Sequence, residues 1–186
     1  MRSAYHHGDL RRALVEHSVA LVRDHGVDGF SLRAAARAVG VDPAAVYRHF
    51  TDRDDLMRAV AAAGFAELAA RMRAATDAAQ GAGARFVATG TAYVRFAVAH
   101  PEYFSVMFGR HGVDAPGAGA RALLLATLTD LAQERPLALD VEAAALVAWS
   151  AVHGLATLAV AGAVPPHGLD DALNGVTATV LAGLRP

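Results

Sequence analysis

A chain of 186 residues with 17 arginines, no lysine, 18 acids and a net charge of −1 has room for one large domain, or for a small domain of about 50 residues joined to one of about 130. The absence of cysteine excludes a disulfide framework, a thiolate metal site and a Cys nucleophile. The near-neutral balance requires that any grip on a polyanion come from a local patch. Residues 1–58 carry nine Arg against eight acids and residues 59–186 eight Arg against ten acids, a slight asymmetry.

In chain order, the opening MRSAYHHGDLRRAL holds no apolar run of signal-peptide length, so the expectation is a cytoplasmic protein. Asp9 can cap a first helix that turns Leu10, Leu14, Leu21 and Val22 inward, and Gly26 stands where a left-handed residue ends it. Ser31 caps a short helix through Val39 that Gly40 closes. Asp42-Pro43 opens the next, with a cap followed by proline at the first helical position, and that helix is expected to run to about Phe50. Asp52 caps a long fourth helix whose first turn, Arg53-Asp54-Asp55, carries acids where the helix dipole favours them; it should reach about Ala75. Gln80–Gly83 and residues 112–119 read as loops, with two helices between them split at His100-Pro101. Helices near Arg121–Glu134, Asp140–Ala161 and Gly168–Leu184 follow, separated by Pro136 and Pro165-Pro166. Apolar residues recur at three- and four-residue steps without strand-like alternation, so the fold class is all-α, about nine helices.

Residues 143–164 carry no Asp, Glu, Lys or Arg, a length that could cross a bilayer. The stretch is mostly Ala and Gly, contains Ser150, His153 and Thr157, and is flanked by acids rather than by basic anchors. A helix buried between other helices, with no membrane partner, is the expectation.

SLRAAARAVGVDPAAVYRHF at residues 31–50 has the period of two short helices joined by a turn at Gly40, the helix-turn-helix layout. Ala35, Ala36 and Val39 permit close approach, and Val41, Val46 and Phe50 supply the apolar side that locks the crossing. The leading half of the second helix, Pro43 to Arg48, is left free to enter a major groove. Ahead of it, Arg2, His6, His7, Arg11 and Arg12 form a basic arm. It either lies along a nucleic-acid backbone or in a minor groove, or is simply a disordered terminus.

Gly26, Ser31, Ala36, Gly40-Val41, Val46-Tyr47, His49-Phe50 and Leu56, with Arg53 where a basic residue is usual, fall at the spacing of the N-terminal pattern of tetracycline-repressor (TetR) regulators. Over residues 9–60 the chain resembles that family. The resemblance implies a DNA-binding domain over 1–55 and a helical effector-binding and dimerisation domain over 56–186. It implies that Tyr47, His49, Ser31 and Arg53 contact phosphates, while Arg33, Ala44, Ala45 and Arg48 face the bases; phosphate contacts set position and base contacts set sequence. Ala44 and Ala45 offer only methyl contact, and Asp42, where Ser is commoner, caps the helix and can accept a bond from a cytosine amine. Pro43 belongs to the same face.

Further on, AHPEYFSVMF at residues 99–108 and WSAVHG at 149–154 resemble the C-terminal domain of a TetR subgroup named for its Trp-His-Gly motif. That implies an effector pocket, for which Tyr93, Phe104, Met107, Phe108, Trp149 and His153 are the candidates, His153 being the one convergent polar group. It also implies a homodimer through the last two helices, reading a palindromic operator with recognition helices about 34 Å apart. The implied function is a repressor released from DNA by a small molecule. The remaining alternatives are a helical interaction module without DNA affinity, and an enzyme. Against an enzyme, the nine His and the acids show no metal spacing, nucleophile elbow or glycine-rich phosphate loop; no cofactor or metal is expected.

Overall fold

The computed structural model of the chain describes residues 7–110 and 118–186. These form nine α-helices and no strand: α1 (His7–His25), α2 (Leu32–Val39), α3 (Pro43–Val46), α4 (Arg53–Ala78), α5 (Ala82–Ala99), α6 (Pro101–Met107), α7 (Ala118–Glu134), α8 (Val141–Val160) and α9 (Leu169–Gly183), with a 3-10 turn at Pro166–Gly168. The all-α architecture is the one the apolar periodicity calls for.

Several boundaries differ from the expectation. α1 already starts at His7, so Asp9 falls inside the helix rather than at the residue before it. α3 closes its regular hydrogen bonding at Val46 instead of Phe50. His49 N–H and Phe50 N–H both donate to Val46 O, at 2.9 and 3.0 Å, so the segment tightens into turns as it hands over to α4. α4 extends to Ala78, three residues beyond the expected end, and the chain leaves the helix over Ala79 and Gln80 before Gly81 turns at φ 85°. Ala118 and Gly119 belong to α7; the rest of the loop expected at 112–119 lies outside the described residues, as do Arg2 and His6 of the arm.

The chain packs as two compact units, one within Met1–Phe65 and Pro101–Pro116, the other within Ala66–His100 and Gly117–Pro186. In the first unit, α1, α2, α3 and the start of α4 enclose Leu14, Ala35, Ala36, Val46, Phe50, Leu56 and Met57. Burying each large side chain of this set contributes about 1.5–3 kcal/mol, and the two alanines let the backbones approach. α6 joins this unit through Val106 and through an ion pair from Arg23 Nη2 to Glu102 Oε1 at 2.7 Å. The Glu102 side chain is 3% exposed; its partner holds a charge that burial alone would disfavour. Gly64 admits α6 closely, since a Cβ there would lie 2.6 Å from Met107 Sδ and 2.8 Å from Tyr103 Cδ1.

The second unit is built from the rest of α4 with α5, α7, α8 and α9. Its core gathers Phe86, Leu128, Leu131, Ala144, Ala145, Ala148 and Leu184. The start of α5 is fixed to α7 by Ala82 N–H donating to Glu134 Oε1 at 3.2 Å and by Arg85 Nη2 donating to Asp130 Oδ2 at 2.9 Å. The expectation that α8 is buried between other helices needs correction. Its Ala144, Ala145, Ala148, Leu155 and Ala156 face inward, but Leu146, Val147, Trp149, Leu158 and Val160 face outward, and only 28% of its most apolar window is buried. The physical reason lies in residue size: the alanines fit against neighbouring helices, while the larger apolar side chains stay largely exposed among the described residues.

Candidate functional site

Each turn of the helix-turn-helix is set by a local cap. Ser31, in extended backbone, accepts Ala34 N–H on Oγ at 3.2 Å and starts α2. Gly40 ends it at φ 75°, a left-handed conformation that costs an L side chain about 1–2 kcal/mol. Its N–H donates to Arg37 O at 3.1 Å, and Val41 N–H reaches back to Ala36 O at 3.0 Å, so the last carbonyls of α2 are satisfied within the turn. Asp42 Oδ1 then accepts Ala44 N–H at 2.8 Å and Pro43 takes the first helical position of α3. At the exit, Asp52 Oδ1 accepts Asp55 N–H at 2.7 Å while Asp55 Oδ2 accepts Thr51 N–H at 3.0 Å, a reciprocal box that opens α4.

With Val46 and Phe50 buried, the opposite face of this segment is displayed. Asp42, Pro43, Ala44, Tyr47 and Arg48 are exposed, Ala45 and His49 half-buried; Ser31 and Arg33 lie exposed on the start of α2. Tyr47, at 58% exposure, is a large aromatic left in water beside Arg48. Of the ten residues expected at DNA, seven are thus exposed at the starts of α2 and α3 or just beyond α3, His49 is half-buried, and Ala45 packs partly against the core. Arg53 is placed differently: its Nε donates to Phe30 O at 3.2 Å, its Nη2 to Val27 O, and its Nη1 faces Asp54 Oδ1 at 3.4 Å. The guanidinium spends these donors on the backbone between α1 and α2.

The six residues expected to line an effector pocket fall into two groups, one in each unit. In the first unit, Phe104 and Phe108 meet at 4.9 Å between centroids, and Phe65 meets Phe108 edge-on at 5.5 Å. Phe104 and Met107 are buried there. In the second unit, Tyr93 Oη lies 2.8 Å from His153 Nδ1, and Trp149 Nε1 lies 3.4 Å from Tyr93 Oη. An indole N–H can only donate, so Tyr93 Oη accepts from Trp149, while the direction of its bond to His153 follows the imidazole tautomer. Burial pushes the Tyr93 phenol above its usual range and the His153 imidazole below its ordinary 6.5, favouring the neutral form of both. A separate groove of about 660 Å³ in the same unit is lined by α4, α5 and α9, among them Val87, Thr91, Arg95 and Leu181. None of the six candidates lines it.

Two features escaped the sequence reading. The buried Glu102 and its Arg23 partner join residues 79 positions apart, and the only local hint was an acid after Pro101. The Arg53 tie to carbonyls 23 and 26 residues upstream has no signature in spacing at all.

Comparison with known proteins agrees with this geometry. Residues 14–60 match the tetR family of bacterial regulatory proteins, and residues 86–180, more than half of the chain, match the C-terminal domain of tetracyclin-repressor-like proteins. An HTH-type transcriptional regulator of Mycobacterium tuberculosis, and its counterpart in Mycobacterium bovis, are 33% identical over 88 residues, 46% of this chain. The chain thus spans 38% of the length of those regulators. A Rhodococcus sp. RHA1 protein of unknown function is similar over the whole of both chains, at 35% identity and a TM-score of 0.86. The transcriptional regulator FadR of Bacillus subtilis, solved with stearoyl-CoA, shares the fold at a TM-score of 0.79 over 94% of this chain and 99% of that one, at 15% identity. Joined to the capped helix-turn-helix and the helical second unit, the two family matches show that this chain belongs to the tetR family of bacterial regulatory proteins.

Proposed function

We propose that the protein is a homodimeric DNA-binding transcription regulator, a repressor that a small molecule releases from a palindromic operator. The observation that carries the reading is the displayed face of α3: Val46 and Phe50 are sealed inside, while Ala44, Tyr47 and Arg48 stand outward beside Arg33. Arg33 and Arg48 have no carboxylate within ion-pair distance among the described residues, so their donors are available to base edges. Tyr47 and His49 fit the backbone on either side.

The exposed apolar arc of α8 supports assembly with a second copy. Leu146, Val147, Trp149, Leu158 and Val160 make a patch too apolar for a stable free surface. Gly154 in α8 and Gly175 in α9 have open space where a Cβ would stand. Glycine inside an exposed helix costs about 0.5–1 kcal/mol relative to alanine; close approach of a partner helix offsets that. A bilayer fits less well, because α8 begins with the Asp140 cap and Glu142 and carries Ser150 and His153. Two protomers present two recognition segments to half-sites one DNA turn apart, about 34 Å.

The Tyr93–His153–Trp149 group supports an effector site in the second unit, because it gathers three polar ring groups in one place. α4 contributes residues to both units and is the element through which the effector acts. A preference of a few kcal/mol for the arrangement that mismatches the half-sites is enough to vacate the operator. The test is selection of bound sequences from a random DNA pool, followed by gel-shift titration with candidate effectors. A displaced complex supports the full reading. No enriched palindrome refutes the regulator, and an operator complex indifferent to every compound that binds the protein removes the sensing half.

A further inference from the structure

We infer that Arg11, on α1, is a DNA-backbone contact held ready by the ring that closes the recognition segment; the inference rests on the DNA-binding reading above. Arg11 is exposed on α1, next to the buried Leu10 and Ala13. Its Cζ lies 5.0 Å from the centroid of the Phe50 ring, inside cation–π range. Phe50 is itself fixed, 1% exposed and bonded through its N–H to Val46 O at 3.0 Å. The cation is therefore placed against the residue that follows His49 in the recognition segment, and belongs to a helix rather than to a loose arm.

Charge pairing in the first unit separates Arg11 from most of its neighbours. Arg12 pairs with Glu16, Arg23 with Glu102, Arg58 with Asp55, and both Arg53 and Arg110 with Asp54. Among the described residues no carboxylate lies within that distance of Arg11, Arg33, Arg37 or Arg48. In a chain of net charge −1 the uncompensated guanidiniums of this unit are thus gathered on α2, α3 and the Arg11 position, a local cationic footprint of the kind a polyanion needs. A guanidinium whose attraction is to a ring spends none of its N–H donors on a carboxylate, and phosphate oxygens accept such donors in pairs. Because Arg11 stands on a helix other than the recognition segment, its contact fixes position and reads no sequence.

The test uses the full chain and a labelled random-sequence duplex, with affinity measured across a salt series. Each neutralised phosphate contributes about 0.9 to the slope of log K against log salt. Arg11→Gln should flatten the wild-type slope by about that amount, whereas Arg11→Lys, which keeps the charge, should restore it. Thermal unfolding of each variant is followed in parallel, and Arg11→Met, which keeps the apolar stem on the ring, decides the matter if Arg11→Gln does not fold. An unchanged slope in the folded neutral variant overturns the inference and leaves the DNA-binding reading intact, because Arg11 is then only a cover for Phe50. Equal flattening by Lys and Gln overturns it as well, since charge is then not what was lost. A wild-type protein with no salt-dependent affinity for DNA overturns both.

Discussion

Replacing Gly64 by alanine sets two opposing effects against each other at one atom. Gly64 lies in the interior of α4, where alanine is preferred by about 1 kcal/mol. The new Cβ, however, would stand 2.6 Å from Met107 Sδ, 3.0 Å from Met107 Cγ and 2.8 Å from Tyr103 Cδ1, closer than real contacts allow. Met107 is 1% exposed and the Tyr103 ring carbon would have to move with it, so the overpacking cost of about 1–3 kcal/mol should win. We expect Gly64→Ala to lose roughly 1 kcal/mol net, read as a melting point lower by about 3 °C for a chain of this size. Urea unfolding of the single variants and of Gly64→Ala/Met107→Ala completes the cycle. Met107→Ala alone leaves a cavity costing about 2–5 kcal/mol, and the added methyl should recover part of it, so the double variant is more stable than the two losses summed. A Gly64→Ala protein that melts above the wild type by the full propensity gain refutes the packing argument.

Gly40→Ala meets no atom within 4 Å, so its cost is the left-handed backbone alone: a loss of about 1–2 kcal/mol, partly recovered by Gly40→Asn, in urea midpoints at constant slope. For His153, burial lowers the folded-state value below the ordinary 6.5. The unfolded chain therefore binds the proton first as pH falls, and stability present above about pH 6.5 is lost below it; His153→Gln should show a flatter profile over that window, and parallel profiles would exclude the assignment. Leu158→Glu changes a side chain that is 53% exposed in the protomer, so secondary structure should survive while sedimentation shifts toward monomer; a variant still dimeric would place the interface elsewhere.

What could be read from the sequence was local. The caps at Ser31, Gly40, Asp42 and Asp52 each act within four residues, which is why spacing revealed them, and with them the displayed face of α3. The end of α3 was misjudged because an unbroken run of helix-compatible residues does not disclose that Val46 O is shared by two N–H groups. Glu102 and Arg53 act across 79 and 26 residues, distances at which pattern carries no information. The aromatic pocket candidates rest on the resemblance of residues 99–108 and 149–154, which carries no packing information. Packing sorted them into two units, because Phe104 and Met107 follow Pro101 onto α6, which is held to α1 by Glu102. For α8, the sequence disclosed an apolar segment but not how wide an arc its alanine-sized contacts would leave uncovered.

The Arg53 clamp changes how genetic data on this protein should be read. A screen for lost operator occupancy will recover substitutions there and invite the conclusion that the side chain touches nucleic acid. Yet its hydrogen bonds go to the carbonyls of Val27 and Phe30, so such mutants would present the recognition surface on a loosened support. A lysine replacement, with one charged nitrogen in place of a fork, should keep the charge and still fail, the signature of a lost scaffold rather than a lost phosphate.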